Sequence, residues 1–434
     1  MDYSDLFADV QDAVHTPRTH ALRAETSPWS DEQRIALESP FSKSAVVVAG
    51  AGAGKTKLLV ARAAALVKAG ADPARVAVVT FTRKAAAEIQ MRLMSEFGNR
   101  TMLPVCGTVH SLALSRLASQ KDMPTIANDD ELTYFLDLLR AELPETYAEL
   151  TDSELLLQLN RVREEERTDS IESLIAARFE EMLEEEDVVD FTLLLRSAAT
   201  KVRAHFDYVL VDEAQDLSSL QKAFLRKIGR KDARYWFIGD GDQAIYAFRG
   251  AHGGVMQELR AECDETFVLS TNYRSSTSII RHANNVISKN KGRFDIQWVP
   301  YRMDDGTVQV EHYPHGEDEL EAARKWLEGS QGRAVLARTQ AVIAPLRELG
   351  LPAYTVHESK GLEWSQVWVM GCETSLFPHA LGVKEEERRL FYVAMTRAKD
   401  FLRMSYCGSR ATSIKKPAGR NPSPFLYEAQ SLDG

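Results

Sequence analysis

Residues Val209–Asp216 read VLVDEAQD, and the apolar run that begins at Tyr208 stops at two adjacent carboxylates, Asp212 and Glu213. A buried strand that ends in an acidic pair places charge at the carboxyl edge of a sheet, where open α/β sheets bind ligands. One carboxylate of such a pair can hold a magnesium ion while the other polarises a water, the division of labour that nucleotide hydrolysis needs. Taken alone, the same pattern also describes a strand capped by a solvated Asp-Glu turn. The rest of the chain decides between the two.

Working outward, a second apolar run opens onto a Gly/Ala-rich loop and then a helix: VVVAGAGAGKT, Val46–Thr56. Glycines at 50, 52 and 54 let backbone N–H groups approach phosphate oxygens, and the helix N-terminus adds positive potential. The loop Ala51, Gly52, Ala53 and Gly54 is therefore a candidate phosphate cradle. Lys55 reaches toward the β- and γ-phosphates, and Thr56 is a magnesium ligand. Ala49 stands where the G-x-x-x-x-G-K-[ST] pattern has its first glycine. With this loop present, Asp212 becomes the second holder of Mg2+ and Glu213 the candidate base for the attacking water. The implied cofactors are ATP and Mg2+.

The chain has 434 residues, 53 Lys and Arg against 63 Asp and Glu, a net charge of −10 and four scattered cysteines. That length predicts two to three domains. The net charge argues against a whole-surface polyanion binder but leaves room for a local basic track. No cysteine pair has CxxC spacing, so neither a zinc site nor a disulfide framework is indicated, and a reduced, cytoplasmic setting is the expectation. No apolar run approaches a membrane span, and the acidic N-terminus lacks the layout of a signal peptide. The acidic block Glu164–Asp187 predicts a solvated helical face.

Strand signals at VVVAG, VAVVTFT, YVLVDE and YWFIGD, and again at VQVEHY, AVLART, VWVMG and FLRMSY, alternate with helical patterns, which predicts α/β domains with parallel sheets. Between Leu112 and Ala199 the pattern is helical, as in ELTYFLDLLRAEL (Glu131–Leu143) and ELLLQLNRV (Glu154–Val162).

Further motifs extend the set in order: WSDEQ (Trp29–Gln33), TFTRKAAAEIQMRL (Thr80–Leu93), GTVHSLALSRL (Gly107–Leu117), GDGDQAIYAFRGA (Gly239–Ala251), LSTNYRSSTSII (Leu269–Ile280), HESKGLEW (His357–Trp364) and EEERRLFYVAMTRAKD (Glu385–Asp400). On these motifs, from about Trp29 to Tyr406, the chain resembles the UvrD/Rep/PcrA family of superfamily 1A DNA helicases. The resemblance implies an α/β fold of two RecA-like P-loop NTPase domains with parallel sheets and one helical insertion in the first. The boundaries it implies are a first domain from 28–111 and 196–268, an insertion at 112–195 and a second domain at 269–415. An N-terminal extension (1–27) and a flexible basic tail (416–434) flank them.

The resemblance also assigns roles. Gln33 reads adenine, Tyr273 stacks on it, and Glu363 accepts from a ribose hydroxyl. Gln243 senses the γ-phosphate. Arg274 and Arg397 bridge that phosphate from the second domain, a task suited to a planar, always-charged fork of donors. Phe81, Tyr246 and Phe248 stack on bases of a single strand, with Arg83, His110 and His357 as polar contacts and Arg249 and Lys360 as further candidates. Family members usually carry Trp where Phe248 stands and often Asn where Arg83 stands.

The expected activity is ATP-dependent single-stranded DNA translocation and helicase action on tailed duplex DNA in the 3′→5′ direction, by a monomer. Polarity rests wholly on the resemblance. Larger relatives insert a second helical subdomain before the HxxKGLE motif, whereas AVLARTQAVIAPLRELGLPAYTVHESKGLEW runs on without room for one, which predicts a minimal motor. Two other readings stay open. One is a motor subunit beside a protein partner, such as a nuclease or a replication or repair factor. The other is a nucleotide-dependent DNA-binding switch. The complete set of Lys55, Glu213, Arg274 and Arg397 argues against the switch. RNA also remains open as the track, since stacking tolerates either sugar.

Overall fold

Val46 and Val48 pack into one apolar core and Val47 into another, and Val209 and Val211 divide from Leu210 in the same way. Successive side chains of a strand point to opposite faces, so an unbroken apolar run marks a strand covered on both sides. A computed structural model describes residues 28–121, 123–143, 147, 150–164, 170–246, 254–380, 382–410 and 421–430.

The first lobe opens with α1 (Asp31–Leu37), β1 (Ala45–Ala49), α2 (Lys55–Lys68), β2 (Val76–Thr80), α3 (Arg83–Phe97), β3 (Val105–Thr108) and α4 (Val109–Ala118). After a helical segment it resumes with β6 (Phe206–Val211), α9 (Ser219–Ile228), β7 (Gly229–Gly239), α10 (Val255–Glu262) and β8 (Glu265–Leu269). Its sheet is wholly parallel, in the order β3-β2-β6-β7-β1-β8. The registers Val48↔Gly239 and Val79↔Val211 bring the strand ends level, so the loops after β1, β6 and β7 share one edge. Strands β3 and β8 add to those read from sequence; VCGT and ETFVL carry too little continuous apolar character to signal a buried strand.

The segment between the halves holds β4 (Thr125–Ile126), α5 (Asp129–Glu142), α6 (Asp152–Glu164), α7 (Ile171–Glu185), β5 (Val188–Val189) and α8 (Phe191–Lys201). Helices α5 to α7 surround their own core of Phe135, Leu139, Leu159, Phe179 and Leu183. In contrast, Leu112 and Leu117 of α4 and Leu194 and Leu195 of α8 pack into the first lobe's core. The separate helical core is thus narrower than 112–195, and β4 pairs with β5 where a strand-free segment was expected. The acidic face is not wholly solvated either. Glu180 of that block pairs with the buried Arg163 at 2.5 Å, as does Asp190 just beyond it.

The second lobe comprises β9 (Thr271–Asn272), α11 (Thr277–Ile287), β10 (Val299–Pro300), β11 (Thr307–His315), α12 (Gly316–Leu327), β12 (Arg333–Ala337), α13 (Gln340–Glu348), β13 (Ala353–Thr355), β14 (Trp364–Met370), α14 (Lys384–Met395) and β15 (Ala398–Ser409). Its five-stranded sheet is also parallel, ordered β11-β15-β14-β12-β13. Strand β12, helix α13 and strand β13 lead straight into the turn at His357 with no subdomain inserted.

The expected flexible tail is corrected over residues 421–430. There α15 (Pro424–Gln430) docks on α11 and α14, with Phe425 fully buried against Phe377 and Phe391. Arg388 Nε–Glu428 (2.8 Å) and Ser423 N–H to Cys372 O (2.9 Å) fix its two ends. Burial of one aromatic ring outweighs the Pro/Gly-rich composition that suggested a loose end. Residues 411–420 and 431–434 lie outside the described residues. Among the described residues, no helix is long and apolar enough to cross a membrane.

Candidate active site

The phosphate cradle grows out of local backbone demands. Strand β1 ends at Ala49, and the chain must turn sharply into α2. Gly52 and Gly54 meet that demand with φ of 66° and 81°, a region L side chains avoid. Gly54 caps α2 without a side chain, which leaves the first N–H groups of the helix facing the loop. Lys55 Nζ lies 3.3 Å from both Ala49 O and Gly50 O, folded over the loop.

Across the sheet edge, Thr56 Oγ1 donates to Asp212 Oδ2 at 3.2 Å, and Glu213 N–H to Asp212 Oδ1 at 3.0 Å. Burial and the neighbouring charge of Glu213 push the Asp212 carboxyl up to about 7, against the pull of Lys55. A buried carboxylate with one hydroxyl and one N–H as partners is short of positive charge. A small divalent cation bound by hard oxygen donors suits that deficit, so Thr56 and Asp212 fit Mg2+. Glu213 behaves oppositely. Burial alone would raise it, but Lys55, Lys360, a hydrogen bond from Gln215 and Arg397 together hold it down at about 2. It is therefore anionic at neutral pH. Its backbone adopts φ 51°, a left-handed conformation rare for a non-glycine residue.

Gln215 bridges the strand ends, donating to Glu213 Oε2 (2.6 Å) and accepting from Asp240 N–H (2.9 Å). Asp240, fully buried after β7, accepts from Gln243 Nε2 at 2.6 Å. Burial, opposed by Lys55, raises its carboxyl to about 6. Sequence reading passed over Asp240, although YWFIGD repeats the apolar-run-then-carboxylate signal of YVLVDE.

The second lobe reaches into this edge. Arg397 Nη2 donates to Gln243 Oε1 at 3.1 Å. Burial and the nearby charge of Arg274 lower the Arg397 guanidinium to about 9, so it stays charged at neutral pH. Arg274 donates to Glu363 Oε2 (2.5 Å) and to Thr396 O (3.1 Å), and Lys399 also pairs with Glu363 (2.6 Å). Glu363 therefore has both oxygens engaged by cations rather than standing open for a hydroxyl. Tyr273 N–H donates to Gly52 O at 3.0 Å, and its ring lies 4.8 Å from that of Tyr301. The buried Asn272, within the stretch Leu269–Ile280, donates to Ala51 O (2.5 Å) and accepts from Arg274 N–H (3.0 Å). Gln33 serves first as a helix cap. Its Oε1 accepts from Ser30 N–H (3.1 Å), the Ser30 hydroxyl accepts from Gln33 N–H (3.2 Å), and Nε2 donates to Ala53 O (3.0 Å). The S-x-x-Q spacing of WSDEQ is thus a capping box that seats Gln33 against the cradle.

Three of the expected track residues, Phe81, Tyr246 and His357, come together beside this site. Phe81 and Tyr246 stack at 5.7 Å with planes 4° apart, and His357 lies 6.3 Å from Tyr246. His110 meets Phe191 edge-on at 5.0 Å. Phe191, 50% exposed, was missed from sequence because it sits inside a helical pattern that reads as packing. Arg83 is exposed at the start of α3. Lys360, expected among the strand's phosphate contacts, is instead nearly buried. It pairs with Asp216, donates to Gln243 O (3.2 Å) and stands 4.8 Å over the Tyr246 ring. Phe248 and Arg249 lie outside the described residues.

Against known families, residues 29–264 match the UvrD/REP helicase N-terminal domain and residues 350–409 the UvrD-like helicase C-terminal domain. The chain belongs to the UvrD-like helicase family. Within it, DNA helicase II of Escherichia coli (strain K12) is 31% identical over 296 residues, covering 61% of this chain and 41% of that protein. Putative ATP-dependent DNA helicase YjcD of Bacillus subtilis (strain 168) is 27% identical over 318 residues, covering 63% and 40%. A probable DNA helicase of Mycoplasma pneumoniae is 26% identical over 424 residues, covering 82% of this chain and 79% of its own length. The chain thus spans about two fifths of the first two relatives, in keeping with a UvrD-like form that lacks the second inserted subdomain.

Proposed function

We propose that this UvrD-like chain is an ATP-dependent translocase and helicase on single-stranded DNA, moving 3′→5′. The observation that carries the proposal is the joint between hydrolytic site and track. One short turn, Gly241–Gln243, receives Arg397 on its side chain and Lys360 on its backbone, while Lys360 also faces the Tyr246 ring. A base stacked on Phe81 and Tyr246 therefore bears on the same lysine that holds Gln243.

Bound at Thr56 and Asp212, Mg2+ would neutralise phosphate charge. The chain's own groups do the rest. N–H groups of residues 51–56 and Lys55 cradle the phosphates, and Tyr273 and Gln33 seat the base. Closure of the lobes brings Arg274 and Arg397 to the γ-phosphate. Glu213, held anionic beside Lys55 and Lys360, accepts a hydrogen bond from the attacking water and orients it. That role suits phosphoryl transfer, where positioning and electrostatics dominate. Gln243 then reports the phosphate's presence to the track, and alternate grip by two lobes moves the strand.

Strand displacement on 3′-tailed and 5′-tailed duplexes tests the proposal. Displacement of the 3′-tailed substrate alone, dependent on ATP and Mg2+, is expected. Preference for the 5′ tail would overturn the polarity, and ATP-independent binding without turnover would favour a switch.

The uninterrupted path from β13 to His357 favours a second reading, a motor subunit with weak unwinding alone beside a nuclease or replication or repair factor. Under that reading the isolated chain hydrolyses ATP on DNA, and displacement rises only when the partner is added.

A further inference from the structure

The segment after α11, residues 290–298, falls in none of the motifs that mark the family resemblance, yet it touches both walls of the phosphate site. Arg293 forks onto Asp242, Nε to Oδ1 at 2.9 Å and Nη2 to Oδ2 at 2.6 Å. Trp298 Nε1 donates to the same Oδ2 at 3.2 Å. The indole, 4% exposed, also lies flat against the start of the cradle, where a Cβ on Gly50 would come within 2.6 Å of its ring. The segment is fastened to the second lobe, since Asn284 of α11 donates to Trp298 O (2.7 Å) and accepts from Trp298 N–H (3.3 Å). Asp242 in turn adjoins Gln243, and its N–H donates to Asp240 Oδ1 at 3.0 Å.

From these contacts we infer that Arg293 and Trp298 are positioning residues: a third grip by which the second lobe holds the Gln243 turn and the cradle at a fixed spacing. Arg397 holds the turn by its side chain and Lys360 by its carbonyl. Arg293 and Trp298 hold it by the neighbouring carboxylate, and Trp298 also touches the cradle at Gly50. A bidentate guanidinium–carboxylate pair fixes orientation as well as distance. When the lobes part, this grip releases the turn, and Gln243 loses the register needed to meet a γ-phosphate. The inference rests on the proposed ATP-driven motor, and the wild-type arm of the experiment tests that reading separately.

The experiment measures kcat and KM for ATP with saturating single-stranded DNA, and thermal melting, for R293M, R293K and W298F, each in wild-type and Q243A backgrounds. R293M is expected to lower kcat by ~10-fold or more while KM moves by less than ~3-fold, the pattern of a group needed only in the transition state. R293K, a point charge without the fork, recovers only part of the loss. W298F keeps an aromatic ring but loses the Nε1 donor and part of the surface against Gly50, so it gives a smaller fall in the same direction and serves if R293M does not fold. In the Q243A background R293M lowers kcat by less than ~2-fold further, because both changes remove one device. Equal effects in both backgrounds, or an unchanged kcat, overturn the inference and leave a packing role. A wild-type chain without DNA-stimulated turnover overturns the motor reading itself.

Discussion

Arg397 and Gln243, 154 positions apart and on different lobes, meet at 3.1 Å through Nη2 and Oε1. The arginine is buried and charged, and its acceptor is the side chain proposed to read the γ-phosphate. Replacing Arg397 with Met should leave nucleotide binding within about threefold and cut DNA-stimulated turnover by about 10³-fold, the scale of an arginine supplied to a phosphoryl-transfer site. Single-turnover hydrolysis with labelled ATP checks this, and loss of binding rather than turnover would move Arg397 out of the role.

Glu213 is held anionic by Lys55 and Lys360. The substitution E213Q keeps its size and one acceptor oxygen but removes the charge. Hydrolysis should fall by about 10²–10⁴-fold, with ATP affinity preserved. Turnover that persists in E213Q would reject its part in orienting water.

On the track, the Tyr246 ring is parallel to that of Phe81 at 5.7 Å, and Lys360 Nζ lies 4.8 Å from its centre. Y246A should weaken single-stranded DNA binding by about 1–3 kcal/mol, the worth of one base–aromatic stack, in a fluorescence anisotropy titration at fixed salt. It should also blunt DNA stimulation of the ATPase, since Lys360 loses the face it senses.

Stability offers a test apart from activity. Arg163 is buried between Glu180 and Asp190, and Asp190 also accepts from Leu193 N–H as the cap of α8. R163M leaves a buried carboxylate without its partner and should destabilise the helical segment by about 3–5 kcal/mol in denaturant unfolding. F425A should cost a similar ~3–5 kcal/mol, because the ring lies fully buried between Phe377 and Phe391. No change on F425A would mean α15 does not dock in solution.

Much of the site was legible because its chemistry is local. The cradle Gly50–Thr56 and the pair Asp212–Glu213 each lie in one contiguous stretch, and strand–loop–helix order places them. What was not legible depends on contacts distant in sequence. Asn272, Arg293 and Trp298 carry no local signal of touching Ala51, Asp242 and Gly50, because only the closing of one lobe on the other brings them there. Lys360 was read as a phosphate contact since a lysine in a motif suggests one, whereas its real partner, Asp216, is 144 positions away. Helix α15 was hidden for another reason: seven residues after a basic, Pro-rich stretch give no periodicity to detect.

Hydrolysis at the carboxylate pair is proposed to wait on DNA-driven closure of the lobes. Steady-state ATP turnover by the wild-type chain with Mg2+, measured with and without single-stranded DNA, tests it most directly. Stimulation of at least ~10-fold is expected, about 1.4 kcal/mol of transition-state stabilisation, abolished in K55A. Equal turnover with and without DNA would contradict it.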